Sequence, residues 1–336
     1  MLLLAQSVTK DAVLSLFKRK PKTGGITGVC VDETGFSLAH VVRDAAGTPQ
    51  LELALHEACP IPGDTSRALA AAVRKHGLQG SPCVGLLKPD AYSLRQIDAP
   101  PVSDDEVRDA ARWSVKDLID FPAEDAVIDV FDVPASSSSR EKRIYVVATP
   151  KAVVQEAVDL IEGSGLALTA IEISELALRN VAMLLPENER GMALIYLSDN
   201  SGVLTITQGD SLYLARRLHS ELDVLTEGGS HESVFEKPEL SDEAEQLVKS
   251  LLLETQRSLD YYEHQLEQGA VSALVLFPTE VPLSGLRSYL AQNLSVEVSV
   301  LELNGILKSK ESLPHWLQAR CLTTIGAALR VSSENA

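Results

Sequence analysis

The sequence predicts an α/β protein built from two similar lobes, and three observations carry that prediction. Three apolar segments separated by tight polar turns occur at residues 26–57 and again at 192–219. Each run is followed by a helical pattern and then a short apolar strand, CVGLLK from Cys83 and VSALVLF from Val271. The composition, 45% hydrophobic and 23% charged over 336 residues, is that of a globular chain long enough for one large or two medium domains.

In the first half the expected strands are ITGVCV, FSLAHVVR and QLELALHE, with turns at Gly35 and at Ala46-Gly47-Thr48-Pro49. A helix over 65–76 precedes the strand from Cys83. An extra block over about 95–140 follows, read as a small inserted subdomain. It holds SDDEVRDAARWSVKDLIDFP, with Ser103 as helix cap and a helix to about Asp117, then AVIDVFDVP and the serine run Ser136–Ser139. The strand IYVVAT returns to the lobe, and Thr149-Pro150 forms an N-cap and first helical residue. Val153, Val154, Ala157 and Ile161 give the next helix an apolar stripe, and Gly163 and Gly165 end it. A strand LTAIEI and a helix over 174–184 complete the lobe, and Pro186–Arg190 reads as a hinge.

In the second half the strands are MALIYLS, VLTITQ and SLYLARRLH, turning at Asp199-Asn200-Ser201-Gly202 and Gly209-Asp210. Ser241 caps a long helix over 242–267, with Asp242 and Glu243 favourably placed in its first turn. Leu247, Leu251, Leu259, Tyr262 and Leu266 share one face of it. A helix Leu283–Asn293, a strand VEVSVLEL and a last helix over 313–330 follow. The resulting division is an N-terminal segment 1–25, a first lobe 26–185 and a second lobe 190–331.

Several functions are disfavoured. A net charge of −17 repels the phosphates of nucleic acids and anionic lipids over most of the surface. Cys30, Cys59, Cys83 and Cys321 form no CxxC pair, which argues against a zinc site or disulfide framework and fits a reducing cytoplasm. The seven histidines have no metal-ligand spacing, so no metal is expected. GxSxG, GxxxxGK[ST] and HExxH are absent. Asp104-Asp105-Glu106 reads as a solvated helix start. Asp125, Asp129 and Asp132 form no acid/base pair. No apolar run approaches the roughly 20 residues that span a bilayer. The start does not read as a signal peptide, since its basic residues follow the apolar ones. Leu2, Leu3, Leu4, Val8, Ala12, Val13, Leu16 and Phe17, followed by Lys18, Arg19, Lys20 and Lys22, make a basic amphipathic segment. It suits the inner-membrane surface, packing on the protein, or a disordered segment.

Two lobes of meander, helix, strand, helix, strand describe the actin-like (ribonuclease H-like) fold, and the extra block resembles that of its FtsA-like branch. At this point the sequence resembles the PilM/MshI family of type IV pilus assembly proteins, over about Leu16 to Leu329. FKRKPK is similar to the family's basic start. ARWSVKDLIDFPAEDAVIDVFDV resembles its RWE…PF…D pattern, and IYVVATPKAVVQEAVDLIEGSGLALTAIEISELAL its strand, helix, Gly-Leu, strand, helix stretch. ETQRSLDYYEHQ resembles its long-helix pattern. The resemblance implies a cytoplasmic scaffold, peripheral at the inner membrane, in the platform of a mannose-sensitive (MSHA-type) pilus. Its implied partners are the tail of a PilN-like bitopic protein, the polytopic platform protein and the extension ATPase. An active actin-like ATPase is one alternative. The cytoplasmic part of a GspL-like secretion protein is another, disfavoured because that family continues into a membrane span whereas this chain stops at Val331–Ala336.

Some family members also bind ATP, through two Gly-rich hairpins, acidic residues acting through Mg²⁺ and a Gly-Gly turn for the adenosine. The family's first pattern, like GIDIGSSSIK, falls on GVCVDETGFS. Cys30 replaces the metal-side Asp, Asp32 the tight-turn Gly and Ser37 the Lys, with Thr34 and Gly35 completing the turn. A shift of one residue instead makes Asp32 the metal-side acid. The second pattern, like VDIGAES, falls on IYLSDNS, so Tyr196 and Ser198 replace Asp and Gly ahead of Asp199 and Ser201. Phe277, Pro278 and Thr279 stand where the Gly-Gly turn belongs. Without glycine the backbone cannot approach a phosphate closely. Two like charges about 4 Å apart cost on the order of 4 kcal/mol at an effective dielectric of 20. The expectation is a degenerate nucleotide site, with no ATP or Mg²⁺ cofactor and no catalytic residues. For the partner site the candidates are Trp113, Phe121 and Pro122. Trp113 and Phe121 anchor a partner peptide on one reading and pack the subdomain's core on the other.

Overall fold

The computed structural model describes residues 24–59, 61, 63–134, 142–198, 201–220, 222–225, 241–281 and 283–331, without the side chains of Ser201, Asp223 and Ser284. The expected N-terminal amphipathic segment, the Ser136–Ser139 run and the turn residues Asp199 and Asn200 lie outside the described residues. The described chain divides into a first unit of residues 24–134, 142–177 and 323–331 and a second of 178–322.

The first unit opens with β1 (Ile26–Val31), β2 (Gly35–Arg43), β3 (Pro49–Ala58), α1 (Thr65–Lys75) and β4 (Pro82–Leu86). There follow β5 (Ser93–Asp98), α2 (Val107–Ser114), β6 (Ala126–Asp132), β7 (Arg143–Pro150), α3 (Lys151–Gly163), β8 (Ala167–Glu172) and α4 (Ser174–Ala182), within which the division falls. Its main sheet runs β3-β2-β1-β4-β8. The meander pairs are antiparallel, and β1–β4 and β4–β8 are parallel.

Strand alternation gives β1 two different faces. Val29 and Val31 pack with Leu69, Val73 and Ile161 of α1 and α3. Ile26 and Cys30 meet Ala177 and Ala327 on the other side. Gly28 lies between Ile26 and Cys30 on that second face, and a Cβ there would stand 2.0 Å from the Thr324 carbonyl oxygen. Hydrogen at this position is what lets helix backbone lie on the strand.

A smaller antiparallel sheet, β5-β7-β6, carries α2 on one face. Val107, Ala111, Val115 and Ile119 pack there against Ile128, Ile144 and Val146. IYVVAT therefore pairs in this sheet and not in the main one. Strand β5 escapes notice in the sequence because SLRQID is half-buried along its length and lacks the apolar alternation of a strand with one dry face. Both proposed caps shift. Thr149 donates its hydroxyl to the Ala91 carbonyl at 2.7 Å, and Pro150 becomes the cap. Ser103 donates to the Glu106 carboxylate, and α2 spans Val107–Ser114 only. Helix α3 does end at Gly163, with Gly165 at φ +94°.

The second unit contains β9 (Met192–Ser198), β10 (Ser201–Gln208), β11 (Ser211–Leu218), α5 (Leu222–Leu225), α6 (Asp242–Asp260), β12 (Leu274–Leu276), α7 (Ser284–Asn293), β13 (Val298–Val300), α8 (Leu303–Ile306) and α9 (His315–Ala328), whose last residues belong to the first unit. Its sheet order, β11-β10-β9-β12-β13, repeats that of the first unit, as do the strand directions. The expected internal duplication is thus topological.

Ser241 caps α6 by accepting the Ala244 N–H at 3.2 Å. The helix stops at Asp260, where a π-turn over Tyr261–Gln265 replaces the expected continuation to 267. The wider turn brings Tyr262 and Leu266 to the core beside Leu247 and Leu251. Strand β12 is shorter than VSALVLF, although the Ser272 amide still donates to the Gly191 carbonyl at 2.7 Å and its hydroxyl donates to the Glu187 and Gly191 carbonyls. Pro186–Arg190 forms a 3₁₀ turn, and Asn188 ties it to Thr207 and Gly209.

Candidate functional site

In the turn between β1 and β2, the Asp32 carboxylate folds back on its own loop. Its Oδ1 accepts from the Thr34 N–H at 2.7 Å, the Thr34 hydroxyl at 2.6 Å and the Gly35 N–H at 3.0 Å. The Asp32 amide donates to the Gly35 carbonyl, and the Thr34 carbonyl accepts from Cys59 of the sheet. This is an Asx turn, in which a side chain takes the backbone donors that an external anion would need. Gly35 is required because a Cβ would stand 2.0 Å from the Glu57 carbonyl oxygen. Burial, and then the charge of Asp32, pushes the Cys30 thiol up to about 12. Glu33 reaches Lys88 at 4.0 Å on the surface.

In the second unit Ser198 pairs with Ser201 in the antiparallel β9–β10 ladder. Asp199 and the Ser201 side chain lie outside the described residues. The half-buried Tyr196 meets Phe277 edge-on, with ring centroids 6.4 Å apart. Phe277, Pro278 and Thr279 are buried. The Phe277 amide donates to Ile195, and the Thr279 hydroxyl to the Val281 carbonyl at 2.6 Å. With Leu197, Leu283 and His315 these residues line a mostly apolar cavity of about 100 Å³.

The partner candidates separate. Trp113 is 66% exposed, so the core-packing reading of it is overturned; Ala111 and Val115 turn inward in its place. Phe121 does pack against the subdomain core, and Pro122 is exposed.

A groove of about 590 Å³ lies beside them, lined by Arg108, Asp109 and Arg112 of α2, by Ala126–Ile128 of β6, and by Lys151, Ala152 and Gln155 of α3. Strand β6 forms one edge of its sheet. Arg112 donates to the Ala123 and Ala126 carbonyls at 2.7 and 2.8 Å, and Lys151 to the Glu124 carbonyl at 2.6 Å. Asp129 accepts the Val130 N–H and pairs with Arg108 at 3.0 Å. Residues 126 and 130 therefore turn their backbone groups away from β7, and by strand alternation so does Ile128 between them, on the groove side of a buried edge strand. None of Trp113, Phe121 or Pro122 lines it. Its sequence signal is the pair Arg108 and Arg112, one helical turn apart in an otherwise acidic stretch.

Two buried carboxylates were also missed. Glu172 meets Arg330 at 2.9 Å, and Glu175 accepts from the Tyr92 hydroxyl at 2.5 Å. Glu172 shows in the sequence as the one charge within LTAIEI. No helix among the described residues is long and apolar enough to cross a membrane.

No family model and no curated protein matches the sequence. Among solved structures, a chain of a PilM-PilN type IV pilus biogenesis complex matches at 20% identity, covering 91% of this chain and 98% of that one, with a TM-score of 0.69. Weaker likenesses are to the cytoplasmic domain of EpsL from Vibrio cholerae and to a Bacteroides thetaiotaomicron protein with an actin-like ATPase fold. The first shares 14% identity over 92% of this chain and 97% of that one, at a TM-score of 0.49. The second shares 10% over 88% and 96%, at 0.47. With the same strand order and directions in both units, and with the match at 0.69, the chain has the actin-like fold.

Proposed function

We propose that this protein is a non-enzymatic adaptor in the inner-membrane platform of a type IV pilus, of the MSHA type. It binds the cytoplasmic tail of a PilN-like membrane protein and works beside the platform protein and the extension ATPase. The observation that carries this reading is the groove, in which side chains of α2 and α3 flank the edge strand β6 and suit one extended segment laid along it. The likeness to a chain from a PilM-PilN complex supports the choice of occupant. Arg112 and Lys151 cap neighbouring carbonyls, which protects the edge from other strands and fixes where a segment enters.

The residues at the first and third loops do not fit ATP. Asp32 already fills the donors of the first turn, and its charge opposes a polyphosphate. The Phe277–Thr279 loop encloses about 100 Å³, below the roughly 300 Å³ where ligand pockets begin. The test is co-purification of the full chain with the tail of the bitopic protein encoded beside it, with and without Mg²⁺ and ATP. Retention of the tail regardless of ATP is expected. Loss of the tail, or micromolar ATP binding abolished by Asp32→Ala, overturns the reading.

A further inference from the structure

Helix α2 and the turn that follows it leave two large apolar side chains uncovered. Trp113 (66% exposed) and Leu118 (47%) point away from the core built by Val107, Ala111, Val115 and Ile119. Exposed tryptophan is uncommon, and it is the residue most often found carrying binding energy at protein interfaces. The surrounding charge is lopsided. Residues 98–134 hold eleven carboxylates against three cations, a net −8 within a chain of −17, and Arg95 adds one cation to this surface by donating its Nε–H to the Leu118 carbonyl at 3.3 Å. Two of those cations, Arg108 and Arg112, line the groove. Asp105, Asp117 and Asp120 are exposed and hold no ion pair among the described residues, unlike Asp104, Asp129 and Asp132.

We infer that the Trp113–Leu118 face is a second docking surface, for a lysine- or arginine-rich segment at the membrane-proximal end of a cytoplasmic loop. Charge complementarity selects the occupant. Unpaired carboxylates attract cations, the indole face binds an ammonium or guanidinium, and Leu118 receives an apolar neighbour. Cytoplasmic loops of membrane proteins carry such cations in excess. Anionic lipid is repelled by the same field. That source of the segment rests on the platform reading; the surface itself does not.

The test uses the full chain carrying Trp316→Phe, so that fluorescence reports Trp113, with acetylated KKLLKKLLKK as probe and EELLEELLEE as control. The basic peptide is expected to shift Trp113 emission to the blue saturably, and the acidic one to leave it unchanged. Calorimetry should show binding about tenfold weaker in Trp113→Ala and again in Asp117→Asn/Asp120→Asn, with unchanged melting temperatures. Binding should also weaken between low and high salt. An unsaturable signal, an equal response to the acidic peptide or unaltered affinity in both variants overturns the inference. Ala152→Trp, which fills the groove, should leave this binding intact. Failure here and failure of tail binding are thereby told apart.

Discussion

At the scale of single residues, Asp32 governs the first hairpin. Its carboxylate satisfies three donors that a phosphate would otherwise share. Asp32→Ala should lower stability by about 1 kcal/mol through the orphaned amides, and Asp32→Asn, which keeps the acceptor, by much less. Urea unfolding of the two variants separates these outcomes. Cys30 makes a second prediction. Its folded pKa is raised from 9.0 to about 12 by burial and then by Asp32. The protonated thiol is thus favoured in the fold. Its contribution is fully present below about pH 9 and is lost as pH rises toward 12. Iodoacetamide should label Cys30 slowly at pH 8, and Asp32→Asn should quicken it modestly. Which residues occupied the turn was legible in the sequence, but the direction of Asp32's carboxylate was not. That depends on a side chain closing on amides two and three residues ahead, which either alignment register allows.

Among the elements, close backbone packing is a constraint that the sequence pattern does not show. A Cβ on Gly28 meets Thr324 backbone at 2.0 Å, and one on Gly326 meets the Ala177 carbonyl oxygen at 2.2 Å. Gly28→Ala and Gly326→Ala should each cost about 2 kcal/mol or more, since the obstructing atoms are helix backbone. Gly269→Ala, with open space around it, should be neutral by thermal melting. The six meander strands and the apolar face of α6 were legible, because alternation and 3.6-residue spacing mark them. The inserted subdomain was legible only in part. IYVVAT looks the same whichever sheet it joins, and SLRQID has no apolar face to show. The π-turn at Tyr261 is set by where Tyr262 must be buried, a tertiary demand that spacing alone does not reveal.

For the whole molecule, the recurrence of one five-strand order in two sheets explains why the actin-like fold could be read from element sequence despite 20% identity to a structural relative. The partner site was less legible. Trp113 was a candidate from the sequence, whereas the groove is formed by α2, β6 and α3 meeting in space. Its Arg108, Arg112 and Lys151 gain meaning only once the edge of β6 is placed between them. The account therefore turns on whether an extended segment enters that groove. The direct measurement is a calorimetric titration of the PilN-like tail peptide into the wild-type chain and into Ala152→Trp, whose exposed site permits the substitution without disturbing the core. The account predicts saturable one-to-one binding by the wild type and at least about tenfold weaker binding by Ala152→Trp. No binding by the wild type, or equal affinity in both, would contradict it.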